Sequence, residues 1–74
     1  MWLRLILWPM LDVSLRRDGL TRHWTISEWA GRWSCRYAEE HSVSYGGCTT
    51  LEWALAKKTE WLAQIAAARA DGWA

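Results

Sequence analysis

Phenylalanine is absent from this chain, proline occurs once and cysteine twice in 74 residues. Each scarcity excludes something. Two cysteines, Cys35 and Cys48, are too few for the framework of bridges that small secreted domains use in place of a core. A single bridge between them is left open, and two reduced thiols are the default expectation. Nine basic residues stand against eight acidic ones, a net charge of +1. With no excess of either sign, the chain as a whole does not call for bulk electrostatic attraction to nucleic acid or to an anionic membrane. Long apolar runs are also missing, since a membrane-spanning helix needs about 20 residues. The N-terminal stretch MWLRLILWPML is barely half that and is broken by Arg4 and Pro9. It runs into Asp12 and Arg16-Arg17 without the small-residue cleavage site of a signal peptide. Residues 1–10 are therefore expected to pack on the domain or to lend an apolar edge to a partner. The location expected for the chain is cytoplasmic.

What is abundant is tryptophan, eight residues. A chain this short can build one small core, and each Trp can bury roughly 150–250 Å². About half of the eight suffice for that purpose. The stretch HWTISEWAGRWSCRY, residues 23–37, concentrates three of them with Tyr37, Arg32 and Arg36. Arg outnumbers Lys seven to two, and Arg, Trp and Tyr are the residues that dominate binding hot spots.

The pattern along the chain predicts strands first and a helix last. Leu11, Val13 and Leu15 alternate with Asp12, Ser14 and Arg16, the period of a half-buried strand. Asp18-Gly19 is a favoured two-residue hairpin turn, so residues 11–27 read as a hairpin. Trp29-Ala30-Gly31 makes the next break. Beyond it Trp33, Cys35 and Tyr37 share one face and Arg32, Ser34 and Arg36 the other. Residues 38–41 read as a turn and residues 42–45 as a short last strand ended by Gly46-Gly47. Thr49 and Glu52 form a capping-box pair, and an unbroken helix follows to Ala70, stopped by Asp71-Gly72, with Trp73-Ala74 as a tail. Leu51, Ala54, Leu55, Leu62 and Ile65 are taken as its buried stripe. The expectation is one domain, residues 1–74. An antiparallel sheet of three to four strands, residues 11–45, packs against one long C-terminal helix, residues 49–70: an α+β fold of two layers.

No constellation of residues calls for catalysis, a cofactor or a metal. His23, His41, Cys35 and Cys48 are the right types for a zinc site, but no pair has finger-like spacing. Cys35 shares its strand face with two aromatics, which suits a core residue. Cys48, just before the helix, is the better placed thiol for activation by the helix dipole. Gly46-Gly47 lacks the lysine and the spacing of a phosphate loop. The chain is read as a non-enzyme.

The candidate partner-binding residues are Trp29, Arg32, Arg36, Trp53, Lys57 and Trp61. Trp29 breaks the alternation at a turn, beside Glu28 and Arg32. On a helical wheel Trp53 falls over 90° from the leucine stripe and is expected to be exposed, covered by Lys57 through a cation–π contact or by a partner. Trp61 sits on the shoulder of the stripe. Arg22, Arg32 and Arg36 are placed together on the outer face of the sheet, where aromatics and a basic groove can hold a single strand of nucleic acid. The alternation argues against this, because it turns Trp33 and Tyr37 toward the helix. Direct nucleic-acid contact is thus the lesser expectation, and a homodimer is left open.

The strand run from Leu11 to Tyr45 followed by TTLEWALAKKTEWLAQIAAARA resembles, in size and organisation, the small bacteriophage-encoded inhibitors of the anti-CRISPR group. That group shares no sequence motif, so no functional residue carries over. The resemblance implies a binding protein that blocks a host protein or ribonucleoprotein complex, in the host cell cytoplasm. The run Thr50-Leu51-Glu52-Trp53-Ala54-Leu55 is similar to the start of the helix in antitoxins of the HicB type. Their DNA-binding extension has no counterpart here.

Overall fold

The computed structural model describes residues 8–40 and 42–74. Four strands in sequence order form one antiparallel sheet: β1 (Trp8–Arg17), β2 (Leu20–Trp29), β3 (Arg32–Glu39) and β4 (Ser42–Thr49), followed by α1 (Leu51–Ala70). This is the expected α+β architecture. The apolar heptad at residues 1–7 and His41 lie outside the described residues. The anticipated N-terminal segment does not extend to residue 10, because Trp8–Met10 already belong to β1.

Both long hairpins turn on two residues of positive φ. Asp18 and Gly19 take φ of 53° and 80°, and Ala30 and Gly31 take 53° and 76°. Left-handed angles at both positions match the right-handed twist of the flanking strands. Ala30 is the costly one, since it has a Cβ and no side-chain oxygen to compensate. The last strand is longer than the sequence suggests. It runs through Gly46-Gly47 to Thr49, with a register shift between Trp33 and Cys35 on β3. Gly46 does not end the strand, and its missing side chain has a packing reason. A Cβ built there would lie 3.0 Å from the Trp53 ring.

One face of the sheet carries the core. Leu11 and Leu15 of β1, Trp24 and Ile26 of β2 and Cys35 of β3 are buried, with Val13, Trp33 and Tyr37 packed beside them. Trp24 and Tyr37 are directly opposite across the strands, ring centroids 5.3 Å apart. The Trp24 indole donates to Gln64 Oε1 on the helix at 3.2 Å, so the buried ring keeps its hydrogen bond.

The helix keeps Ala54 and Ile65 of the expected stripe and contradicts its three leucines. Its buried residues are Ala54, Trp61, Ile65 and Ala68, and Leu51, Leu55 and Leu62 are exposed. At about 100° per residue the three leucines lie roughly 60–100° round from Ala54. Two alanines let the helix backbone approach the sheet, and Trp61 fills the space between them. Burying that indole removes more apolar surface from water than a leucine could. Trp61 is accordingly a core residue, 8% exposed, and not a shoulder residue.

The two ends of α1 also differ in detail from the expectation. The N-cap is Thr50, whose hydroxyl accepts from the Trp53 N–H at 3.2 Å; Thr49 is the last residue of β4. At the other end the Gly72 N–H bonds to Arg69 O and the Trp73 N–H to Ala68 O, with Gly72 at φ 96°. This is a Schellman motif, and its usual apolar contact joins Trp73 to Ala68. Trp73 is therefore no tail but a buried part of the core, and the Ala74 N–H closes onto Arg16 O at 2.9 Å.

Candidate functional site

The structure separates the expected partner-binding residues into two places. Strand register decides which. Opposite residues of an antiparallel pair share a face, so the pairs Ile26↔Cys35, Trp24↔Tyr37 and Leu15↔Arg22 face the helix. The pairs Thr25↔Arg36 and Trp29↔Arg32 face away from it.

Arg22 is thereby corrected: it is not on the outer face with Arg32 and Arg36. Its guanidinium lies over the rings of Trp24, Tyr37 and Trp73 at 4.8, 5.6 and 5.2 Å, and its Nε donates to the Tyr37 hydroxyl at 2.8 Å. Arg17, also on the helix side, lies over Trp73 at 5.0 Å and donates to Asp71 Oδ2 at 2.7 Å. These two arginines lock the end of the chain onto the sheet and are spent on structure.

No other described helix or strand is packed on the outer face, although Ser27 on it is buried, at 9% exposure. It carries Asp12, Ser14 and Arg16 from β1, Thr21, His23, Thr25, Ser27 and Trp29 from β2, and Arg32, Ser34 and Arg36 from β3. Trp29 is the most exposed large apolar residue among the described ones, at 67%, as the break in alternation predicts. Asp12 Oδ1 and Thr25 Oγ1 both approach His23 Nε2, at 2.7 and 3.1 Å. The arrangement resembles a triad in composition only. A catalytic histidine links its base partner and its nucleophile through different ring nitrogens, and here both partners share one.

The helix holds the second place, itself divided between two flanks. On one, Trp53 is 42% exposed, with Lys57 Nζ 5.0 Å from its ring centroid and 5.9 Å from that of Trp61. The expected cation–π cover is present. Trp53, Lys57 and Trp61 line a cleft of about 240 Å³ with Ser44, Gly46 and Cys35. Burial pushes the Cys35 thiol above its ordinary value, and Lys57 pulls it back only in part. On the other flank stand Leu51, Leu55 and Leu62, between 46% and 49% exposed. The sequence reading missed this row by assigning it to the core. The signal was present in Trp61, the largest residue at helical spacing from Ala54 and Ile65.

Among the described residues no group of three or more His, Cys, Asp or Glu side chains is arranged to hold a metal ion. No described helix is long and apolar enough to cross a membrane. No protein-family model matches the chain, and no curated protein or solved structure matches it either.

Proposed function

We propose that this protein is a non-catalytic binding module that acts by covering part of a macromolecular partner. The observation that carries the reading is the row Leu51, Leu55 and Leu62. The helix buries a different line and leaves these three leucines half exposed on one flank. Apolar side chains aligned on a rigid helix are the anchors of helix-in-groove recognition, and an apolar patch on so small a surface points to a partner. Trp53 with Lys57 on the opposite flank, and Trp29 with Arg32 at the sheet end, supply residues of hot-spot type at the margins. The form we put forward is inhibition by occupancy, in the manner of a phage-encoded inhibitor seated on a bacterial CRISPR effector complex. Size and organisation support that choice.

The test is interference itself. In bacteria with active CRISPR interference, expression of the wild-type chain should raise phage plaque counts clearly above those of cells that lack it. A Leu55→Lys/Leu62→Lys variant should not. Plaque counts unchanged by the wild-type chain would remove the CRISPR form of the proposal. A double variant as active as wild type would remove the leucine row from the contact.

A further inference from the structure

We infer that the free edge of β4 pairs with the same edge of a second copy of this chain, joining two sheets into one across a two-fold axis. This goes beyond the protein-directed reading and leaves the row Leu51, Leu55 and Leu62, on the far flank of the helix, uncovered.

The two edges of the sheet are not alike. The order β1-β2-β3-β4 leaves one side of β1 and one side of β4 without a partner strand among the described residues. An open row of amides and carbonyls is a template for another strand, and proteins blunt it with charge, proline, a bulge or a covering segment. β1 has all four. Pro9, Asp12, Arg16 and Arg17 lie in it, its register shifts between Pro9 and Leu11, and the Ala74 N–H occupies Arg16 O at 2.9 Å. β4, SVSYGGCT, has no charged residue and no proline. Its register shift falls past Gly46, so residues 42–46 are regular.

Strand geometry fixes which groups the open edge offers. The pair that flanks a two-residue turn exchanges both hydrogen bonds, and bonded and unbonded pairs then alternate. On β1 this count, started at Arg17↔Leu20, turns Arg16 outward, and that is where Ala74 meets it. On β4 the count from Glu39↔Ser42 turns Ser42, Ser44 and Gly46 toward β3. The amides and carbonyls of Val43 and Tyr45 are left facing away from the sheet. A two-fold axis through Ser44 sets Val43 of each copy against Tyr45 of the other, which makes two bonded pairs across the seam. An uncharged strand brings no like charges together when it meets itself. The same edge is apolar on both sides. Val43 is half exposed on the outer face, opposite Ala38, and Trp53 is exposed on the helix side, over Gly46. Ser44 lines the cleft of Trp53 and Lys57, so an axis through it brings the two clefts together and each copy helps to cover the other's Trp53. The occupant is a second copy because the pairing is self-complementary. With β1 closed, association stops at two.

The experiment is sedimentation velocity on the full chain, from micromolar to millimolar concentration, in reducing buffer to exclude a disulfide-linked dimer. The 8.6 kDa chain should approach twice its mass as concentration rises and go no further. Deuterium exchange at the Val43 and Tyr45 amides should slow several-fold at the high end of the range. Val43→Pro removes an outward donor and no bond within the sheet, a change that edge strands tolerate. It should keep the chain monomeric with its circular dichroism unchanged. Val43→Lys places a charge on the edge and should weaken the dimer at least several-fold; it carries the test where the proline variant does not fold. Leu55→Lys/Leu62→Lys should dimerise like wild type, which separates failure of this inference from failure of the protein-directed one. Loss of the dimer in that variant would move the contact to the leucine row and overturn the β4 pairing. A chain monomeric at every concentration, assembly beyond two copies, a folded Val43→Pro variant that still dimerises, or an unchanged Val43→Lys dimer would overturn it as well.

Discussion

Cys35 shows how a single side chain is governed by its surroundings. It is 1% exposed on the floor of the cleft beneath Trp53. Burial raises its thiol above the ordinary 9.0, with Lys57 opposing. A nucleophilic thiol needs the reverse shift and some access, so Cys35 is a packing residue. The unfolded chain ionises this thiol first as pH rises, and the folded chain holds the proton longer. The stability tied to it is complete below the unfolded value and is lost as pH climbs past it. Tyr37 adds the same sign at higher pH, because burial raises its phenol too, against the opposing pull of the Arg22 hydrogen bond. We expect Tm to fall progressively above about pH 9, and Cys35→Ala to delay that fall. In a Cys48→Ser background Ellman's reagent should label Cys35 only as the protein unfolds. Rapid labelling of the native state would contradict the burial argument. The core role of Cys35 is legible in the sequence because Trp33, Cys35 and Tyr37 alternate with polar residues. The role of Gly46 is not, since the ring that needs its missing Cβ comes from another element.

At the scale of elements, strands were more legible than the helix face. Period-two alternation and the Asp18-Gly19 turn locate β1 and β2 within a few residues. They fail for β4, where Gly46-Gly47 looks like a stop but lies inside the strand, Gly46 paired with Cys35 of β3 and covered by Trp53. The helix itself is announced by its alanines and the Asp71-Gly72 stop, but its orientation is not. Four leucine and isoleucine positions form one plausible stripe, and a line through two alanines and Trp61 forms another. Packing against Trp24 and Ile26 decides between them, because small residues permit the close approach. Stability measurements separate the two lines. Ile65→Ala should cost about 2–5 kcal/mol, the range for a buried large-to-small change. Leu62→Ala, at a half-exposed position, should cost less than about 1 kcal/mol. Comparable losses from urea unfolding of the two variants would return the leucines to the core.

At the scale of the whole molecule, the fold is closed by the last residues of the chain. The Schellman motif turns Trp73 back onto Ala68. Arg17 and Arg22 stack on its ring, and the Ala74 N–H joins β1 through Arg16 O. A 74-residue core has little margin, of order 3–5 kcal/mol in domains of this size. Trp73→Ala should cost about 3 kcal/mol or more and leave much of the chain unfolded at 37 °C, as judged by circular dichroism. A fully folded variant would show that the sheet and helix suffice without this closure. The Gly72-Trp73 pair could have revealed the motif, being a glycine just past a helix followed by an apolar residue. Its partners, Arg17 and Arg22, are more than fifty residues away in sequence, and no local pattern connects them.

The strand order has a consequence for the speed of folding. Every strand pairs with its neighbour in sequence, in the order β1-β2-β3-β4, and the helix follows the last strand after one residue. The loops that must close are therefore short, and such a sheet should fold faster than one of equal size whose strands cross over.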